Sequence, residues 1–415
     1  MVIDILETGI TERKSQMKLL FYRYGNICEP DIISAFQALD IQVVEECAEI
    51  HNKKLSPGER VALLQEQLHR CSEREPFLFI FSVNYFPAIA EFCHIIKLPY
   101  VCWTVDCPVL ELFSRSITYD TNYIFLFDYA QYEYYHPQNP EHIFYLPLAT
   151  NAARWDKVRS DSANTSKNKQ YAETISFVGS LYSEKCKYNT IKNQLPAYTQ
   201  GFITGLLNAQ MRLYGCNILE NSLHEKVIQD LKAAASDFYQ TEDSFTNTDA
   251  FVAANDYLGY KLAEQERIQT LNALGEHFPV TIYTRSNTEC LENITVKSGV
   301  KTLTEMPFVF SNSKINLNIT MRPIQTGLSL RVYDILGCGG FLMTNYQAEL
   351  TEYFEIGKDL EAYGSMEELL DKCQYYLSHE EQRAAIARNG YEKVRQYHTY
   401  QNRIQTIIME IGKRL

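Results

Sequence analysis

The segment from Lys314 to Asn345 combines the residue types that best suit the binding of an anion. It reads KINLNITMRPIQTGLSLRVYDILGCGGFLMTN, and its loop places Thr326 and Gly327 between the guanidinium groups of Arg322 and Arg331. Arginine donates paired hydrogen bonds to phosphate oxygens, and a helix amino end offers free N–H groups to the same oxygens. The segment therefore predicts a binding site for an anion such as a diphosphate.

A strand that ends in glycine offers a second place for a phosphate. The apolar run Thr174–Val178 is followed by Gly179 and Ser180. Because Gly179 has no Cβ atom, backbone N–H groups at this turn can approach an anion closely. The alternative is that this glycine serves only a tight turn, as glycines do after many parallel strands.

Other polar side chains stand at the ends of predicted strands, which is where parallel sheets bind their ligands. In the first part of the chain these residues are Asn84, Tyr85, Asp106 and Asp128. In the second part they are Tyr283 and Thr284. Asp106 has a second interpretation, as the cap of a helix that begins near Pro108, since aspartate is favoured at that position.

Alternating strand and helix patterns position these residues. Short apolar runs such as FLFIF at Phe77–Phe81 are typical of strands that are covered on both faces of a parallel sheet. The pattern predicts strands at Lys18–Tyr24, Val43–Val44, Phe77–Phe81, Tyr100–Val105, Tyr123–Phe127, His142–Leu146, Thr174–Val178, Pro279–Thr284, Val300–Thr302, Ile315–Ile319 and Phe341–Met343. Strands that alternate with helices indicate doubly wound α/β domains.

A polar stretch divides the chain into two such domains. Its core, SDSANTSKNKQ, has the composition of a linker. We predict a polar lead-in at 1–16, a first Rossmann-like domain at 17–150, a linker at 151–172, a second Rossmann-like domain at 173–395 with a helical insertion at about 183–278, and a last helix at 396–415.

Composition narrows the class of protein. The 415 residues are 46% hydrophobic and 13% aromatic, which favours a folded globular protein over a disordered one. A formal net charge of −12 argues against broad nucleic-acid binding. The eleven cysteines lack zinc-site spacing, so we expect free thiols in a reducing compartment. The amino terminus has no apolar core of signal-peptide length and no run approaches the ~20 residues of a membrane span, so we expect a cytoplasmic protein without a membrane span.

Three segments carry a resemblance to a known family. Residues 314–345 resemble the donor-sugar motif in the second domain of GT-B glycosyltransferases, and more narrowly that of the CgeB/YkvP-like bacterial glycosyltransferases. The turn Phe177-Val178-Gly179-Ser180 resembles the one that opens their donor domain. The segment Trp103–Pro108 is similar to the Trp-x-x-Asp-x-Pro segment of their DUF3880-type N-terminal domain. The resemblance implies a GT-B fold, in which two Rossmann-like domains face a cleft and the last helix crosses back to the first domain.

The resemblance also implies a role for each candidate residue. Retaining GT-B families carry two glutamates eight positions apart before an Ala-Cys-Gly-like turn, and the matching positions here are Thr326 and Asp334. Asp334 keeps the carboxylate that holds ribose hydroxyls, unless it only pairs with Arg331. The donor site would comprise Gly179, Ser180, Tyr283, Thr284, Arg322, Thr326, Gly327, Arg331 and Asp334. Tyr283 has an equally open alternative as an ordinary buried tyrosine. The other domain would supply Asp106 as the base, with Asn84, Tyr85 and Asp128 on the acceptor side.

The function implied is sugar transfer from a nucleotide-diphosphate sugar, UDP-linked and of hexosyl or N-acetylhexosaminyl type, to a hydroxyl of a protein or surface glycan. Because the chain has no Asp-x-Asp motif, we expect no metal and no further cofactor. No Gly-x-Gly-x-x-Gly follows the first strand, which argues against a dehydrogenase. Two alternatives stay open: a sugar-nucleotide-binding protein without turnover, which the threonine at position 326 favours, and a GT-B-like sugar-nucleotide epimerase.

Overall fold

The computed structural model of the chain describes residues 17–71, 76–161, 170–239 and 243–414. The predicted lead-in at 1–16 and the middle of the predicted linker, 162–169, lie outside the described residues. We call the part up to residue 161 the first half of the molecule and the part from residue 170 the second half.

The first half is built on a sheet of six parallel strands in the order β2-β1-β3-β4-β5-β6. Its central strands are buried along their whole length, as their continuous apolar sequences predict. The strands are β1 Lys18–Tyr22, β2 Gln42–Glu46, β3 Ile80–Val83, β4 Tyr100–Trp103, β5 Asn122–Leu126 and β6 Ile143–Tyr145. The helices are Glu29–Gln37, Ala48–His51, Pro57–Cys71, Pro87–Ile96, Tyr129–Tyr135 and Ala152–Ser160, with 3-10 turns at Leu110–Phe113, Arg115–Thr118 and His136–Gln138.

The second half repeats this plan with six parallel strands in the order β12-β11-β10-β7-β8-β9. The strands are β7 Ile175–Val178, β8 Val280–Thr284, β9 Ile294–Ser298, β10 Ile315–Asn318, β11 Leu342–Asn345 and β12 Glu361–Tyr363. Its larger helices are Met306–Asn312, Leu330–Gly337, Met366–Ser378 and Glu380–Tyr397, and a short helix spans Leu350–Tyr353.

The strand predicted at Val300–Thr302 is wrong. Those residues form a loop, and the strand next to β8 is β9 instead. Strand β9 lies at the edge of the sheet and is mostly half-buried or exposed, so its sequence lacks the apolar run that marks the inner strands.

A layer of helices occupies the chain between β7 and β8. Its members are Tyr188–Ile191, Ala197–Gln210, Leu219–Ser222, Glu225–Ala234, Asp249–Val252, a π-helix at Ala253–Gly259 and Tyr260–Gly275. The layer has an apolar cluster of its own. It also contacts the first half, where the ring of Phe251 lies 4.8 Å from that of Phe113. We call this group of helices the helical layer.

The last helix, Tyr400–Gly412, packs on the first half, against Glu29–Gln37. The ring of Tyr400 lies 5.9 Å from that of Trp103 in β4. Arg403 donates from Nε to the carbonyl of Pro147, at 2.8 Å. These contacts fix the position of the second sheet relative to the first. Within the described part of the chain, no helix is both long and apolar enough to cross a bilayer.

Candidate active site

A cleft of about 340 Å³ lies between the two sheets, at the carboxyl ends of their strands. The first half contributes Val105, Asp106, Cys107 and Phe127 to its walls. The second half contributes Phe177, Val178, Gly179, Ser180, Tyr182, Arg267, Asn318, Ile319, Thr320, Met321, Ile324, Ser329, Leu330 and Arg331. The predicted residues Asp106, Gly179, Ser180 and Arg331 are thus brought together, although they come from three distant parts of the sequence.

A buried arginine, Arg267, binds the turn after β7. Arg267 donates from Nη1 to the carbonyl of Ser180, at 2.5 Å, and from Nη2 to that of Ile319, at 2.8 Å. It thereby joins the ends of β7 and β10 and leaves a positive charge beside the turn. A Cβ atom at Gly179 would lie 3.2 Å from the ring of Phe177, so a side chain here would crowd the cleft.

The helix Leu330–Gly337 begins at the cleft, with Ser329 as its N-cap residue. Its amino end directs unpaired N–H groups and the positive end of its dipole toward the cleft. Arg331, in the first turn, adds a guanidinium that is about a third exposed, with a side-chain exposure of 29%. This wall offers the cleft both backbone donors and a partly exposed cation.

Asp334 lies behind Arg331 and outside the walls of the cleft. Its Oδ2 is 3.4 Å from Nη1 of Arg331, so the intrahelical pair is present. Burial raises the pKa of Asp334 to about 7, against the opposing effect of Arg331. Near neutral pH the carboxyl group is therefore partly protonated, and it balances the charge of Arg331 only in part.

On the opposite wall, Asp106 is exposed and held by Asn84. The amide of Asn84 donates from Nδ2 to Oδ2 of Asp106, at 2.6 Å, and to the hydroxyl of Tyr24, at 2.8 Å. Its Oδ1 accepts from the backbone N–H of Val105, at 2.9 Å. Asp106 does not cap the turn that follows Pro108, because the N-cap residue of Leu110–Phe113 is Val109. The carboxylate of Asp106 is thus exposed, is oriented by Asn84, and faces the wall of the cleft that carries Arg331.

Arg322 lies in the interior instead of the cleft. Its side chain is 2% exposed, and Nη2 donates to Oε1 of Glu266 at 2.6 Å. The guanidinium also lies 4.4 Å from the ring centre of Tyr214. Burial raises the pKa of Glu266, and the charges of Arg322 and Arg267 oppose that rise. This ion pair links the loop after β10 to the helix Tyr260–Gly275. The contact of Arg322 with a donor stays a prediction.

Thr326 and Gly327 lie at the joint between the two halves. The hydroxyl of Thr326 lies 3.0 Å from Oδ1 of Asp128 and 2.7 Å from Oε1 of Glu349. Burial raises the pKa of both carboxyl groups. A Cβ atom at Gly327 would lie 2.9 Å from Cα of Asp128, which leaves room for glycine alone. A glutamate at position 326 would meet two buried carboxyl groups, which gives a physical reason for threonine there.

The other predicted residues, Tyr85, Tyr283 and Thr284, make hydrogen bonds within the protein and do not border the cleft. Tyr85 shares a 2.8 Å hydrogen bond with Ser116 in the core of the first half. Tyr283 donates to Oε1 of Glu173 at 2.6 Å and borders a separate cavity of about 450 Å³. The hydroxyl of Thr284 accepts from the N–H of Ser286, at 3.1 Å. Their predicted roles in donor or acceptor binding stay predictions.

Arg267 is a charged cleft residue that sequence reasoning missed. It is buried in the helix Tyr260–Gly275 together with two other charged side chains, Glu264 and Glu266, and with apolar ones such as Leu271 and Leu274. A buried charge needs a partner or a ligand, but helical spacing does not distinguish Arg267 from the charged positions beside it. Among the described residues, no group of three or more histidine, cysteine, aspartate or glutamate side chains could hold a metal ion.

Two parallel sheets that face one cleft, with the last helix packed back on the first half, define the GT-B fold. The profile of a family described as "Glycosyl transferase-like" matches residues 262–409, which include β8 to β12 and most of the last helix.

Solved structures share the fold over nearly the whole chain. Anabaena HepE in complex with UDP and glucose is 12% identical, with a TM-score of 0.53 over 96% of this chain and 100% of that one. A glycosyltransferase from Rickettsia africae is 10% identical, with a TM-score of 0.52 over 97% of this chain and 100% of that one. Sucrose-phosphate synthase from Thermosynechococcus elongatus is 12% identical, with a TM-score of 0.50 over 96% and 98%. A search of curated proteins found no match to the sequence.

Proposed function

We propose that this protein is a glycosyltransferase that moves a sugar from a nucleotide-diphosphate sugar to an acceptor hydroxyl. One observation carries the proposal: the cleft sets the Gly179–Ser180 turn and two guanidinium groups on one wall and the carboxylate of Asp106 on the other. The first wall suits a negatively charged leaving group and the second suits the removal of a proton. The match of residues 262–409 to the glycosyltransferase-like family supports the same activity.

The diphosphate would bind between the turn after β7 and the amino end of the helix Leu330–Gly337. Arg331 would donate to the phosphate oxygens directly, and Arg267 would supply charge while its own donors hold the two strand ends. As the sugar–phosphate bond breaks, charge develops on the departing diphosphate, and these fixed donors stabilise it. The HepE structure contains UDP and glucose, which supports a UDP-linked hexose as the first donor to test.

Asp106 would accept the proton of the acceptor hydroxyl. A general base must reach the proton that it takes, and the hydrogen bond from Asn84 orients Asp106 for that role. No step of this scheme uses a metal ion, since protein donors neutralise the diphosphate. The narrower assignment to CgeB-like enzymes, with a protein or surface glycan as acceptor, belongs to this proposal and rests on sequence resemblance.

A sugar-nucleotide-binding protein without turnover is the second candidate. It is favoured by Thr326, which sits between two buried carboxyl groups and leaves no acid at that position of the donor motif. Donor binding without transfer or hydrolysis across many acceptors would identify this alternative.

A thermal-shift screen tests the proposal. UDP, UDP-glucose, UDP-N-acetylglucosamine, UDP-galactose and GDP-mannose would each be added to the full chain, because a ligand that binds only the native state raises the unfolding midpoint. We expect a rise with at least one UDP compound, followed by release of UDP from its sugar conjugate when an acceptor is present. No shift with any nucleotide sugar would contradict the proposal.

A further inference from the structure

A second cavity, of about 230 Å³, lies between the helical layer and the first half. A thin wall separates it from the cleft. In this wall Gln131 donates from Nε2 to Sγ of Cys107, and Cys107 donates from Sγ to the carbonyl of Pro323, both at 2.8 Å. We call it the side pocket. Because the inserted helices form one side of it, the side pocket is a product of this chain's insertion and not of the two sheets.

Aromatic rings form the apolar part of the side pocket. Phe113 lies at the centre of this group. Its ring centroid is 4.8 Å from that of Phe251, 5.4 Å from that of Tyr135 and 5.9 Å from that of Tyr134. Phe113 and Tyr135 are buried, whereas Tyr134 is 52% exposed. Tyr134 packs against the rings of Phe113 and Tyr135, and about half of its surface remains exposed to a ligand.

The polar part of the side pocket consists of amides and one carboxyl group. The side chains of Asn221 and Gln325 are exposed and make no hydrogen bond to another described residue. Gln131 is buried, and its Oε1 meets no donor within the described part of the chain. Glu220 adds a carboxyl group whose pKa is raised by burial, against the opposing effect of a hydrogen bond with Asn255. Several donors and acceptors are therefore available within one small space.

The charge of the walls restricts the class of ligand. No lysine or arginine of the described chain borders the side pocket, so a phosphate or nucleotide would find no cation there. A purely apolar ligand would leave the buried Oε1 of Gln131 without a donor, and it would cover the polar groups of Glu220, Asn221 and Gln325 without bonding to them. A neutral ligand with one apolar face and many hydroxyl groups satisfies both parts, and a sugar ring is such a ligand.

We propose that the side pocket binds one sugar ring, stacked on Tyr134 and hydrogen-bonded by Glu220 and the neighbouring amides. Because the side pocket lies beside the cleft, we assign this ring to a glycan acceptor. It would be a sugar unit other than the one whose hydroxyl reacts. This last assignment rests on the proposed glycosyltransferase function, whereas the binding of a sugar does not.

Saturation-transfer NMR with the methyl glycosides of glucose, galactose and N-acetylglucosamine tests the binding directly. We expect signal from at least one glycoside, and affinity about two- to tenfold lower in Tyr134→Ala, because the ring contact is lost. Glu220→Gln should also weaken binding. Tyr397→Ala is the matched control, since Tyr397 is equally exposed, at 56%, and lies in the last turn of Glu380–Tyr397. No signal from any glycoside, or equal affinity in Tyr134→Ala, would overturn the proposal.

The same samples separate this proposal from the proposed function. A midpoint shift with UDP but no glycoside signal would support the proposed glycosyltransferase function and exclude sugar binding in the side pocket. Glycoside binding that Tyr134→Ala weakens, without any nucleotide binding, would do the reverse.

Discussion

At the scale of single residues, the proposed chemistry depends on Asp106. In Asp106→Asn the amide oxygen still accepts the hydrogen bond from Asn84, so the wall of the cleft keeps its shape while the base is lost. We expect transfer to fall about 10²–10⁴-fold with UDP affinity unchanged, because general-base catalysis contributes a factor of that size. Initial rates of UDP release, together with calorimetric titration of UDP, measure the two effects separately. Asp371→Asn, at an exposed helix position, is the control. Full turnover in Asp106→Asn would exclude it as the base.

Arg331 is expected to bind the donor. Its guanidinium borders the cleft and is only partly balanced by Asp334, so Arg331→Ala should weaken UDP binding about tenfold or more without unfolding the protein. Arg331→Lys should recover part of the affinity, since it keeps the charge and loses the paired donors. Arg70→Ala removes an arginine whose side chain is 64% exposed and serves as the control in the same titration. Unchanged UDP affinity in Arg331→Ala would remove this residue from the site.

Arg322 should behave in the opposite way. Arg322→Ala leaves the carboxylate of Glu266 buried without its partner, which typically costs about 3–5 kcal/mol of the free energy of unfolding. The double variant Arg322→Met with Glu266→Leu removes both charges, and we expect most of that stability to return. Urea unfolding measures the first effect, and a UDP titration of the double variant decides the role of Arg322. If the double variant still binds UDP, Arg322 has a structural role in the interior. If UDP binding is lost, Arg322 belongs to the donor site.

At the scale of elements, the cleft depends on how closely two helices pack. Gly390 lies where Glu380–Tyr397 crosses Leu330–Gly337, and a Cβ atom there would meet the carbonyl of Asp359 at 2.2 Å and Cδ2 of Leu336 at 2.7 Å. We expect Gly390→Ala to lower the free energy of unfolding by about 1–3 kcal/mol.

The matched control is Gly205→Ala, in the helix Ala197–Gln210, where a Cβ atom would have no atom of another described residue within 4 Å. Alanine should stabilise that helix by up to about 1 kcal/mol, because it is the better helix former. Urea unfolding of both variants measures the difference. Equal stabilities would mean that the two helices cross with more space than the structure shows.

The elements also show how far sequence reasoning reaches. The inner strands and the two-sheet plan were predictable. A continuous apolar run such as FLFIF has apolar side chains on both sides of the strand, so it fits a strand that is covered on both faces of the sheet. The edge strand β9 was missed, since its half-exposed residues have no such pattern. Arg322 was predicted to face the cleft and Arg267 was not considered, for a different reason. Which arginine faces the cleft depends on Glu266, 56 positions from Arg322, and one sequence does not show that contact.

At the scale of the whole molecule, His398 lies at the junction between the last helix and the first half. Its backbone carbonyl accepts from the N–H of Thr150, at 3.0 Å, and its Nδ1 lies 2.7 Å from Nη2 of Arg403. Burial, with the charges of Arg403 and Lys393, lowers the pKa of His398 to about 3. The folded protein therefore holds this ring neutral through the mildly acidic range.

The sign of the resulting pH dependence follows from linkage. A histidine in the unfolded chain titrates near 6.5, so from about pH 6.5 down to about pH 3 the unfolded state binds a proton that the folded state does not. The free energy of unfolding must fall as the pH falls, by up to about 1.4 kcal/mol per pH unit from this group. His398→Asn keeps an acceptor for Arg403 but cannot titrate. We expect the stability advantage of the unsubstituted protein over this variant to shrink between pH 7 and pH 4 in urea unfolding. His379→Asn, at an exposed position, is the control. A constant difference for His398→Asn would mean that the junction takes up the proton without opening.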